Sequence, residues 1–123
     1  MSFSHLIPML EVSDLKESIA FYEEKLGFSC TNKMGDNWAM LSSGKVDLML
    51  SARFSVEKYP QTVLTGSIYL YTNEVDQLWE RLKDKVEVSY PIDSFDYGMR
   101  EFGILDCNGY LITIGQVSED SEV

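Results

Sequence analysis

The sequence predicts an α+β fold: two tandem β-α-β-β-β modules forming a curved mixed sheet around a concave cleft. Three observations carry this. In the last third of the chain, 96–116, two apolar runs of strand-like composition flank Asp106-Cys107-Asn108-Gly109, and a tight turn containing Asn-Gly supplies the positive φ that a hairpin connection needs. Two other stretches repeat apolar residues at helical spacing: Leu15, Ile19, Tyr22 and Leu26, then Val75, Leu78, Trp79 and Leu82. A constant offset of 60 residues superimposes the two halves, setting Leu10 on Leu70, Ser13 on Asn73, Leu15 on Val75, Ile19 on Trp79 and Tyr22 on Leu82. Strand, cap and stripe keep one register, which points to a repeat rather than to two unrelated β-α units.

His5 to Val12 reads as a strand interrupted by Pro8, which must sit where no ladder donor is needed. A helix follows from Asp14 to Leu26, capped by Ser13 or Asp14 and ended by Gly27. Phe28 to Asn32, Trp38 to Ser42 and Val46 to Ala52 read as three strands separated by polar turn residues. From Arg53 to Thr65 the composition is polar and irregular, with Pro60, as in a connection between halves. Ser67 to Thr72 is then a strand, Asn73 a candidate cap and Val75 to Leu82 a helical stripe. A short strand near Val86 to Ser89, a loop holding Pro91 and the closing hairpin complete the second half. Module one is thus expected at about 3–52, a linker at 53–65, module two at about 66–116 and a frayed tail at 117–123.

A chain of 123 residues, 45% apolar, is long enough for one domain with a real core. Its formal charge of −10 disfavours nucleic acid or an anionic membrane as partner and favours a cationic one, although such acidity also simply keeps a protein soluble. Two cysteines are too few for a disulfide framework, and neither a secretory h-region nor a membrane-length apolar run is present, so the chain reads as cytoplasmic.

The opening stretch Ile7 to Phe28, with Glu11-Val12-Ser13-Asp14, Ser18-Ile19-Ala20-Phe21-Tyr22 and Leu26-Gly27-Phe28, resembles the first module of the vicinal oxygen chelate superfamily. Gly98-Met99-Arg100-Glu101-Phe102 and the Asp-Cys-Asn-Gly turn resemble its close, where Asp-Pro-Asp-Gly is usual. That superfamily includes glyoxalase I, extradiol dioxygenases, and fosfomycin and bleomycin resistance proteins. Paired β-α-β-β-β modules are its architecture, and the resemblance spans about Leu6 to Gln116.

Strand alternation divides each strand into a helix side and a cleft side. Leu10, Val12, Leu48, Leu50, Ile68, Leu70, Ile112 and Ile114 take the helix side, which leaves Ile7, Met9, Glu11, Asp47, Met49, Ser51, Ser67, Tyr69, Tyr71, Leu111, Thr113 and Gly115 for the cleft. By the resemblance, the metal-ligand positions of metal-dependent members fall on Ile7, Met49, Ser67 and Thr113. These cannot supply the imidazoles and carboxylates a divalent transition ion needs. His5 is the only histidine, Asp47 and Glu11 are carboxylates at the cleft rim, and neither Cys30 nor Cys107 has a histidine close in sequence to act as base.

What the expected cleft contains is aromatic, thioether and hydroxyl surface. Trp38, Met49, Ser67, Tyr69, Tyr71, Arg100, Phe102 and Thr113 are the expected ligand-binding residues, with Met9, Phe54 and Tyr97 nearby. Trp38 and Phe102 are as readily core fillers, and Arg100 either pairs with Glu101 or a nearby acid or meets an anionic ligand group. The resemblance therefore implies a bleomycin resistance-like protein: a cytoplasmic homodimer that sequesters a small organic molecule, cationic or aromatic, with no metal or other cofactor and no bond made or broken. A glyoxalase-type lyase or isomerase, or a related metal-dependent enzyme, is the alternative.

Overall fold

Each half of the chain builds the same motif. A computed structural model describes residues 1–52 and 63–118, which fall into two units, Met1–Thr62 and Val63–Val123. The first contains β1 (Met9–Glu11), α1 (Leu15–Leu26), β2 (Ser29–Met34), β3 (Trp38–Ser43) and β4 (Val46–Ser51). The second contains β5 (Ile68–Tyr71), α2 (Val75–Leu82), β6 (Glu87–Ser94), β7 (Met99–Leu105) and β8 (Leu111–Val117). The sheet orders are β1-β4-β3-β2 and β5-β8-β7-β6. In each, the first strand pairs parallel with the last and the other pairs are antiparallel. The two tandem modules are therefore real, and both helices begin 60 residues apart, at Leu15 and Val75.

In the first unit Asp14 caps α1, its Oδ1 accepting the Glu17 N–H at 3.0 Å, and the helix ends at Gly27 with φ 73°. The stripe Leu15, Ile19 and Tyr22 is buried with Leu41, Leu48 and Leu50 of the sheet. Tyr22 meets Phe28 edge-on, ring centroids 5.7 Å apart. The first strand is shorter than its apolar run: only Met9–Glu11 joins the ladder, because Pro8 offers no N–H, although its carbonyl accepts the Met49 N–H at 2.9 Å.

In the second unit Val75, Leu82, Ile104, Ile112 and Ile114 are buried. Asn73 is not the cap of α2. The N-cap is Glu74, without a side-chain bond, and the first helical N–H, of Val75, instead donates to Gln116 Oε1 at 2.8 Å. A long-range acceptor has replaced the local one. The strand expected near Val86 to Ser89 runs on to Ser94 and includes Pro91, where a loop was expected. β6 is an edge strand with register shifts between Val88 and Tyr90 and between Tyr90 and Asp93, so a residue without an N–H costs the ladder nothing there.

The closing hairpin forms as expected. Asp106 Oδ1 accepts the N–H groups of Asn108 and Tyr110, both at 2.9 Å, and Gly109 takes φ 87°. Val117 still belongs to β8 and the Ser118 N–H donates to the Gly98 carbonyl at 2.9 Å, so the end of the chain is held through 118. The rest of the expected tail and residues 53–62 of the expected linker, Phe54 among them, lie outside the described residues. No helix among the described residues is long and apolar enough to cross a membrane.

Candidate functional site

Alternation along β7 decides what the second sheet offers. Phe102 and Ile104 are wholly buried, and Phe102 lies against Trp79 of α2, ring centroids 5.2 Å apart. Arg100 shares that parity and binds Asp76 of α2, its Nη2 donating to Oδ1 at 2.8 Å. Neither residue shares the face of Tyr69 and Thr113: Phe102 is a core filler and Arg100 pairs with a nearby acid, the alternatives the sequence offered for each. Apolar parity, followed through this strand as through the others, sends both to the helix.

The other parity carries Glu101 and Gly103 to the face turned away from α2. Glu101 is a carboxylate only 4% exposed. Tyr69 of β5 donates to its Oε1 at 2.9 Å and Tyr90 of β6 to its Oε2 at 2.5 Å. Tyr97, from the β6–β7 turn, brings a third phenol near the same carboxylate. With its one proton committed to Glu101, the Tyr90 oxygen takes the Thr113 hydroxyl as its donor at 3.2 Å. A buried carboxylate is tolerable when it is hydrogen-bonded, and phenols from β5 and β6 each donate to one of its oxygens.

Two glycines make the arrangement possible. A Cβ on Gly103 would fall within the ring of Tyr90, and one on Gly115 would strike the Tyr69 hydroxyl while sitting 3.0 Å from Glu101 Cβ. Gly103 pairs with Thr113 on β8, which pairs with Tyr69 on β5, and Gly115 pairs with Glu101 and Tyr71. The Tyr90 ring therefore passes over the bare backbone of Gly103, and the Tyr69 hydroxyl over that of Gly115, on the way to the carboxylate.

Around this centre the aromatic surface continues. Tyr69 and Tyr71 approach to 5.0 Å between centroids. Tyr90 meets Phe95 edge-on at 6.0 Å, and Phe95 stacks on Tyr97 at 5.5 Å with 9° between planes. The turn bearing Phe95 and Tyr97 is closed by the Phe95 N–H to the Met99 carbonyl at 2.8 Å. Burial and the hydrogen bond to Glu101 raise the phenols of Tyr69 and Tyr90 above the usual range. Loss of hydration and the neighbouring Glu101 carboxylate push Tyr97 up to about 12. These groups keep their protons at neutral pH and act as donors.

Of the expected residues, Tyr69, Tyr71 and Thr113 share this face, and Ser67 is an exposed residue just before β5. Trp38 and Met49 belong to the first unit. There the register sets Met9, Met49 and Met40 side by side on adjacent strands, and Glu11, Ser51 and Trp38 likewise. The Ser42 hydroxyl donates to Asp47 at 2.6 Å on that same parity. Glu101 and Tyr90 are the residues sequence reasoning missed. Their signal was present as two glycines, Gly103 and Gly115, inside otherwise apolar strands, where a missing side chain marks a close approach.

The donors do not fit the divalent ion that metal-dependent members of the resembled superfamily hold. Ile7 has no donor, Met49 offers a thioether, and the Thr113 hydroxyl is engaged with Tyr90. Among the described residues no three His, Cys, Asp or Glu side chains are grouped to hold a metal. His5 is exposed and bonded to Ser4 Oγ at 3.0 Å.

Residues 3–114 match the family model described as the Glyoxalase/Bleomycin resistance protein/Dioxygenase superfamily. No curated protein matches the sequence. Solved structures with the same fold include a glyoxalase/bleomycin resistance protein/dioxygenase from Nocardioides, at 21% identity and a TM-score of 0.72 over 98% of this chain and 88% of that one. A lactoylglutathione lyase from Agrobacterium tumefaciens aligns at 19% identity and 0.70 over 94% and 96%. TioX from Micromonospora sp. ML1 aligns at 18% and 0.72 over 94% and 99%.

Proposed function

We propose, for a chain that belongs to the Glyoxalase/Bleomycin resistance protein/Dioxygenase superfamily, that this protein binds and sequesters a small organic molecule without making or breaking a bond. The observation that carries the reading is the aromatic surface of the second module, organised around Glu101 by Tyr69, Tyr90 and Tyr97. Ring faces bind planar or cationic groups, each contact contributing on the order of 1 kcal/mol.

The same groups are poorly suited to acid–base work. A tyrosine acting as general base needs a lowered phenol pKa, and these are raised. Both oxygens of Glu101 already accept phenol protons. The ligand positions of the metal-dependent relatives hold residues that cannot form a divalent site, which removes the usual basis of lyase chemistry in this superfamily.

Thermal denaturation with a panel of neutral and basic planar aromatics, with and without added divalent metals, tests the reading. A ligand at about one hundred times its Kd stabilises the folded state by about 2.7 kcal/mol. The expected result is a saturable rise in Tm that does not depend on metal. The reading falls if no compound binds at high micromolar concentration while an α-ketoaldehyde–thiol adduct is turned over in the presence of a divalent ion.

A further inference from the structure

The first module carries a row of sulfur. The ladder sets Met9 of β1 beside Met49 of β4, and Met49 beside Met40 of β3. Neighbouring strands lie about 4.8 Å apart, so the central Met49 has a methionine one such spacing away on each side. All three have the parity opposite to Leu10, Ala39, Leu41, Leu48 and Leu50, which fill the core. Met9 is 47% exposed and Met40 and Met49 are half-buried, so water reaches the row. Packing does not account for it. Strands favour β-branched and aromatic residues, whereas methionine, unbranched with three rotatable bonds, fixes a structure poorly. Nor does the architecture ask for sulfur: 60 residues on, the corresponding row of the second module is Tyr69, Thr113 and Gly103.

What the three side chains share is donor chemistry. A thioether is a soft, uncharged ligand, and thioethers on flexible chains from adjacent strands suit Cu(I) or Ag(I), whereas Zn(II) and Ni(II) call for imidazole, thiolate or carboxylate. Cys30 pairs with Leu41 and shares its parity, so that thiol is not part of the row. Neutral ligands leave the charge of a bound ion in place, and the surroundings favour it. On the same parity Glu11 stands two residues from Met9, Asp47 two from Met49, and Trp38 two from Met40. Two carboxylates supply a negative field, indole is the side chain whose face attracts a cation best, and the net charge of −10 favours the encounter. Going beyond the small-molecule binding proposed above, we infer that Met9, Met40 and Met49 form a thioether site for a soft monovalent metal ion, Cu(I) or its redox-stable analogue Ag(I).

Silver nitrate titrated into the whole protein in chloride-free buffer tests this, read by NMR of methyl-labelled methionine. Thiols also take silver, so Cys30→Ser and Cys107→Ser are made first. The methyl signals of Met9, Met40 and Met49 are expected to move together and to saturate at one equivalent, while those of Met1 and Met99 move little and zinc moves none. Met49→Leu removes the central sulfur at nearly constant apolar volume. It should weaken silver by more than the about tenfold that losing even an outer partner of a metal ligand costs. Met9→Leu, at an exposed position, carries the test if that variant does not fold. Copper(I), held against a competing chelator without oxygen, should show the same dependence on Met49. The inference is overturned if the three signals move independently or only in large excess of silver, if Met1 and Met99 move as far, or if both leucine variants bind silver as tightly as their parent.

Discussion

Tyr90 and Glu101 do not face each other in the ladder, yet their side chains meet at 2.5 Å. The Cα partner of Tyr90 is Gly103 and that of Glu101 is Asp93. The phenol crosses one pair of residues diagonally to reach the carboxylate, and it does so over the backbone of Gly103 because nothing stands there. The polar centre of the second module depends on that crossing.

Gly103→Ala is therefore expected to destabilise the protein by about 1–3 kcal/mol, as overpacking does, because the new Cβ falls within a ring rather than at the end of a flexible chain. Combined with Tyr90→Ala the cost should be less than the sum of the single changes. A double-mutant cycle by urea denaturation measures this, and strict additivity would contradict the steric account.

Phe102 and Arg100 point to α2 with different consequences. Phe102→Ala removes a fully buried ring against Trp79 and is expected to cost about 3–5 kcal/mol. Arg100→Ala breaks an ion pair whose side chains are 33% and 58% exposed, and should cost at most about 1 kcal/mol, less in high salt. Denaturation of both variants at two ionic strengths checks the ordering.

Gln116 does for α2 what a local cap does for α1. Gln116→Ala leaves the Val75 N–H without its acceptor, and a loss of about 0.5–2 kcal/mol is expected, typical of a removed cap. Hydrogen exchange should quicken in the first turn of α2 before elsewhere in the second module.

The tyrosines around Glu101 predict an alkaline limit. Their folded pKa values lie above the ordinary value, 10.0, with Tyr97 at about 12. Above about pH 10 the unfolded chain sheds phenol protons that the native state keeps, so it binds fewer protons and stability falls as pH rises. The contribution is fully present below pH 10 and is lost through the folded pKa values. NMR of ring-labelled tyrosine should show Tyr69, Tyr90 and Tyr97 titrating late. Glu101→Gln should bring them earlier without reaching 10, because burial, the largest cause of the shift, remains.

The closing turn, the two helical stripes and the 60-residue offset were legible in the sequence because each depends on neighbours within a turn or a strand. The helix-side parity of Leu48, Leu50, Ile112 and Ile114 was legible for the same reason. Family membership followed from these local patterns, and the architecture agreed with them. Other features were decided by partners distant in sequence. The acceptor of the Val75 N–H lies 41 residues away, and Tyr69 is 32 and Tyr90 11 residues from Glu101. The register shifts of β6 placed Tyr90 opposite a glycine. A side chain that leans diagonally across a sheet leaves no period in the sequence, so only the tertiary structure could turn Glu101 from a charge in an apolar strand into the centre of an aromatic surface.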